Sequence, residues 1–90
     1  MAEPARRVDL RLTIPGAPPY DALAGDLARK FAEYSGADAA VAGRVAQDVA
    51  AIARRLAAAG DVAFTLEARD TGLVVTAASG SRKEQTVFPF

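Results

Sequence analysis

The spacing of apolar residues along this chain changes period twice, and that change restricts the fold more than any single residue does. From Val8 to Ile14 apolar and polar residues alternate: Val8, Leu10, Leu12 and Ile14 face one way, and Asp9, Arg11 and Thr13 the other. A period of two belongs to a half-buried strand. Pro15 and Gly16 end it, and Pro18-Pro19 bars an immediate return to regular structure. From about Tyr20 to Ser35 the period is helical, with Tyr20, Leu23, Ala24, Leu27, Ala28 and Phe31 on one face. Asp21 and Asp26 lie early and Arg29 and Lys30 later, the order the helix dipole favours, and Gly36 is the stop. A second helix is expected from about Asp38, its N-cap, to Ala59. Its stripe is Val41, Val45, Val49, Ile52 and Leu56, flanked by Ala42, Ala46 and Ala53, and Gly60 stops it.

The period then returns to two. Val62, Phe64, Leu66 and Ala68 alternate with Ala63, Thr65, Glu67 and Arg69, and Leu73 to Ala78 is a short apolar strand. Asp70-Thr71-Gly72 reads as the hairpin turn between them, with Gly supplying the positive φ. Ser79 to Gln85 reads as a polar loop, and Thr86 to Phe90 as a short last edge strand burdened by Pro89. The order β-α-α-β-β(-β) predicts a two-layer α/β (α+β) sandwich, two helices packed on one face of a small mixed or antiparallel sheet. Met1 to Arg7 reads as a flexible leader and residues 8–90 as one domain, with Leu12, Leu27, Phe31, Val45, Val49, Ile52, Phe64 and Val75 in a common core. About a quarter of the residues are Ala, so close helix packing has to replace bulky side chains.

Composition removes several kinds of chemistry. Eleven basic and eleven acidic residues cancel, which argues against a nucleic-acid partner and against attraction to an anionic membrane. No Cys means no disulfide and no thiol nucleophile, and no His removes the commonest general base and metal ligand. No signal peptide and no apolar run of about 20 residues is visible, so a cytoplasmic location is expected. No carboxylate pair is forced together, and Lys30 and Lys83 sit in solvated contexts, so no catalytic residue, cofactor site or metal site is predicted. The pairs Arg6-Arg7, Arg54-Arg55 and Arg82-Lys83 read as tail, helix-end and loop charges, and Gln47 and Asp48 as a solvated helix face.

The strand Leu10-Arg11-Leu12-Thr13-Ile14-Pro15, the helix entry Pro19-Tyr20-Asp21-Ala22-Leu23, the junction Tyr34-Ser35-Gly36-Ala37-Asp38 and the hairpin from Phe64-Thr65-Leu66 to Leu73-Val74-Val75 carry a resemblance. In element order and length the stretch from Val8 to Gly80 resembles a shortened histidine-kinase-type (GHKL) ATPase domain, specifically the anti-sigma-factor serine kinases. That resemblance implies a Glu and an Asn four residues apart on the second helix, the Asn as Mg²⁺ ligand and the Glu as base. Here Gln47 pairs with Ala51, or Asp48 with Ile52, and the chain contains no Asn at all. It also implies an Asp-x-Gly after the third strand to hold adenine, where this chain reads Ala78-Ser79-Gly80, and a Gly-rich lid for which too little sequence follows Ser81. The resemblance therefore points to the scaffold of the family without its nucleotide site.

The expected function is a non-catalytic, regulatory protein-interaction module, not an enzyme, meeting a protein partner or a second copy in a homodimer. The resemblance directs attention to the exposed face of the first helix, with Asp26, Arg29, Lys30 and Glu33 as candidate contacts. Phe88 and Phe90 are further candidates, since two Phe near the end of the sequence either close the core or dock into another chain. A small-ligand or nucleotide-sensing domain with a modified pocket between the second helix and the sheet is one alternative. A structural subunit of a larger complex is another.

Overall fold

A computed structural model describes residues 8–90; the expected leader lies outside the described residues. The chain folds as β1 (Val8–Ile14), α1 (Tyr20–Tyr34), α2 (Ala39–Leu56), a 3-10 turn (Ala57–Ala59), β2 (Val62–Arg69), β3 (Gly72–Ser79) and β4 (Arg82–Pro89). The sheet is antiparallel throughout in the order β1-β2-β3-β4. β1 runs from Val8 opposite Ala68 to Ile14 opposite Val62, so the helix pair is an excursion between two neighbouring strands. Both helices pack on one face of this sheet, α1 reaching β1 and α2 reaching β3 and β4.

Register places Phe64, Leu66, Leu73, Val75, Ala77 and Phe88 on the covered face, where all are buried. From α2 come Val45, Val49, Ile52 and Leu56, also buried, in the stripe its spacing predicts. Asp38 caps this helix as expected, its Oδ1 accepting from the Val41 N–H at 2.9 Å. The α-helical part ends at Leu56, and the three alanines that follow tighten into the 3-10 turn.

α1 departs from expectation. Its buried residues are Ala24, Gly25, Ala28 and Ala32, while Leu27, expected in the core, is 36% exposed. Leu12 and Phe31 are only partly buried. The apolar residues of α1 form two adjoining stripes, one of small and one of large side chains, and α2 takes the small one. The reason is distance: a Cβ at Gly25 would stand 2.8 Å from the carbonyl oxygen of Ala46, so the helices meet almost backbone to backbone there. Large side chains cannot occupy such a contact.

The C-terminal third differs as well. The expected polar loop from Ser79 to Gln85 is instead the end of β3, a two-residue turn and the first half of β4, with Ser79 opposite Arg82. Gly80, at φ 58°, adopts the left-handed conformation that such a turn requires. The Asp70-Thr71 turn is present, but Gly72 does not supply a positive φ. Its Cβ would meet the Phe88 carbonyl oxygen on β4, so glycine is required there for close strand approach.

Removing the Ile52 side chain with Ile52→Ala is expected to cost about 2–5 kcal/mol in denaturant melts. Gly25→Ala gains about 1 kcal/mol of helix propensity. It loses about 1–3 kcal/mol to overpacking, and the net result is destabilisation. Gly43→Ala is the control: it lies inside α2 with nothing beyond the adjoining helix backbone within 4 Å of the added methyl, and is expected to stabilise by about 0.5–1 kcal/mol. Equal effects at the two glycines contradict the packing described.

Candidate functional site

Because α2 takes the alanine side of α1, the large apolar residues of α1 remain at the surface. Tyr20 is 39% exposed, Leu23 48%, Leu27 36% and Tyr34 79%. These residues recur at the three- and four-residue spacing of one helical stripe, with half-buried Phe31 completing it. Four of the six large apolar side chains exposed among the described residues therefore belong to a single helix. Beside the stripe lies β1, whose Leu10 and Leu12 are only partly covered. Among the described residues β1 pairs with β2 alone, which leaves its other side an open sheet edge.

The charged residues singled out in the sequence lie elsewhere on α1. Asp26, Arg29, Lys30 and Glu33 are all exposed. At 100° per residue they fall on the side away from the alanine face. Asp26 and Arg29 form a loose i,i+3 ion pair at 3.6 Å. The two C-terminal phenylalanines separate: Phe88 is buried in the chain's own core, whereas Phe90 is 44% exposed, its backbone N–H donating to the Thr71 carbonyl at 3.0 Å. Leu23, Leu27, Tyr20 and Tyr34 are the surface residues that sequence reasoning assigned to the core or passed over. The signal was present in the split of α1 into a small and a large apolar stripe.

Two ion pairs join α2 to its neighbours, one within the helical layer and one to the sheet. Arg54 on α2 meets Asp21 on α1 at 3.0 Å, and Arg55 meets Glu84 on β4 at 2.7 Å. The hydrogen bond from Arg54 holds the Asp21 carboxyl below its ordinary value, and that from Arg55 does the same for Glu84 and raises the Arg55 guanidinium. The Asp21–Arg54 pair borders a crevice of about 180 Å³ beneath the loop that follows β1, otherwise lined by Ile14, Pro15, Pro18 and Ala57 among others. Asp21 and Arg54, the polar side chains among its lining residues, are paired with each other.

The positions where the resemblance puts a nucleotide site are occupied as follows. Gln47 and Asp48 are exposed, Ala51 is half-buried and Ile52 is in the core. Ser79 is buried at the end of β3, its hydroxyl donating to the Asp61 carbonyl at 2.6 Å. Among the described residues no group of three or more Asp or Glu side chains is arranged to hold a metal ion. No helix of the described residues is long and apolar enough to cross a membrane.

Both tethered carboxylates have lowered folded values, so each contributes stability above its ordinary value, 3.8 for Asp21 and 4.5 for Glu84, that is lost as pH falls through the lowered one. Thermal melts from pH 6 down to pH 2, a range spanning about two units on either side of the ordinary carboxylate values, are expected to show a falling midpoint. The double variant Asp21→Asn/Glu84→Gln is expected to flatten that fall. Comparison with protein-family models, with curated proteins and with solved structures gives no match to this chain.

Proposed function

We propose that this chain is a non-catalytic interaction module, regulatory in role and cytoplasmic in location, on a degenerate scaffold of the anti-sigma-kinase-like GHKL type. The observation that carries the reading is the exposure of Tyr20, Leu23, Leu27 and Tyr34 along α1 beside an open strand edge. A surface of this kind is costly to leave in water and is the usual mark of a protein-binding face. Balanced charge and the lack of aromatics interleaved with the basic residues favour a protein partner over a nucleic acid.

The proposed lack of nucleotide chemistry rests on residue types, and the missing Asn does not depend on alignment. A GHKL-type site holds Mg²⁺-ATP through an Asn oxygen on the metal and an Asp carboxylate on adenine. This chain has no Asn, and Ala78 stands where the Asp is expected. Each lost hydrogen-bonding partner costs about 1–3 kcal/mol. Nor does any GxxxxGK[ST] or GxGxxG run offer another phosphate cradle. Isothermal titration with Mg²⁺-ATP and Mg²⁺-ADP is expected to show no saturable binding tighter than about 100 μM. Tighter binding overturns this reading.

A further inference from the structure

The two outer strands of the sheet are guarded unequally. β4 carries Arg82, Lys83, Glu84 and Pro89, the charges and proline with which sheets discourage further pairing. β1 spans seven residues, with only Asp9 and Arg11 charged, and its neighbouring proline, Pro15, lies beyond its last residue. Its open side runs alongside the exposed stripe of α1. An extended peptide satisfies the backbone edge but leaves the stripe bare, and a single helix covers the stripe but leaves the edge unpaired. A second copy of this chain, related by a two-fold axis, presents both elements to both at once.

We propose that a second copy docks on this face, with the two β1 strands paired antiparallel about Leu10 and the two α1 stripes packed against each other. This deepens the interaction-module reading and rests on it. Residues directly opposite one another in a sheet share a face, so the pairing has to keep Leu10 and Leu12 on the helix side and Asp9 and Arg11 on the other. Centring on Leu10 sets Asp9 opposite Arg11 of the second copy and Arg11 opposite its Asp9, two reciprocal attractions. Moving the axis to Arg11 opposes Arg11 to itself, and moving it to Asp9 opposes Asp9 to itself, both unfavourable. The result is one continuous eight-stranded sheet with all four helices on the same side.

Size-exclusion chromatography with light scattering on the full chain, at about 100 μM, well above a micromolar dissociation constant, is expected to give twice the 9.3 kDa chain mass. Leu23→Glu, at a half-exposed position, is expected to give the single-chain mass with an unchanged far-ultraviolet spectrum. Arg11→Asp is expected to weaken the dimer about tenfold (about 1.4 kcal/mol), and Asp9→Arg/Arg11→Asp to restore it. These two exposed positions test the register even where Leu23→Glu fails to fold. A wild-type mass of one chain, a dimer indifferent to Leu23→Glu, or an Arg11→Asp defect that the double variant does not repair overturns the proposal. Nucleotide titration of the same sample separates the two levels. A single-chain mass without ATP binding removes the second-copy proposal alone, and saturable ATP binding removes the reading beneath it.

Discussion

Where Gly25 faces the carbonyl of Ala46, α1 and α2 approach so closely that a single methyl group does not fit. Ala24, Ala28 and Ala32 continue that contact along α1, and Ala42, Val45, Val49 and Ala53 are buried on α2. A chain this rich in Ala has little side-chain volume with which to fill a core, and backbone proximity is the available substitute, since interiors are packed to crystalline density. The remaining volume comes from the sheet, where Phe64, Leu66 and Leu73 are among the largest fully buried side chains.

That choice determines the surface. A helix that gives its small face to its neighbour has to place its large apolar residues elsewhere, and on α1 they fall over the outer strand of the sheet. Nothing beyond β1 is available within the described residues to cover them. The exposed apolar face is thus a consequence of how the core is built. α2 contrasts with it: a central valine–isoleucine–leucine stripe lies against β3 and β4, and Arg54 and Arg55 at its end anchor α1 and β4 through Asp21 and Glu84.

Most of the fold is legible in the sequence because β1, β2 and α2 each bury one face, and a buried face writes its period directly into the chain. Only the second half of β4 was legible, because Arg82 and Glu84 point to the helix side of an edge strand where Glu84 accepts from Arg55, so polar residues stand where alternation calls for apolar ones. The position of Leu27 was hidden for a different reason. Leu23, Leu27 and Ala28 all qualify as apolar, and hydrophobic period alone does not say which part of a broad apolar face meets the neighbour. Side-chain volume does, once Gly25 and the alanines are read as a contact of their own. The candidate site was correspondingly half legible: the sequence drew attention to the charged face of α1, whereas the apolar residues Tyr20, Leu23, Leu27 and Tyr34 that the fold exposes lie on another side of that helix.

Amide hydrogen exchange along β1 tests this account most directly. In an edge strand alternate N–H groups point away from the sheet and exchange freely, whereas pairing on both sides protects them all. Pairing of the two β1 strands about Leu10 predicts that every backbone amide from Asp9 to Leu12 exchanges slowly in concentrated protein, and that alternate ones become fast on dilution. Fast exchange of those alternate amides at every concentration, beside protected amides in β2 and β3, contradicts it.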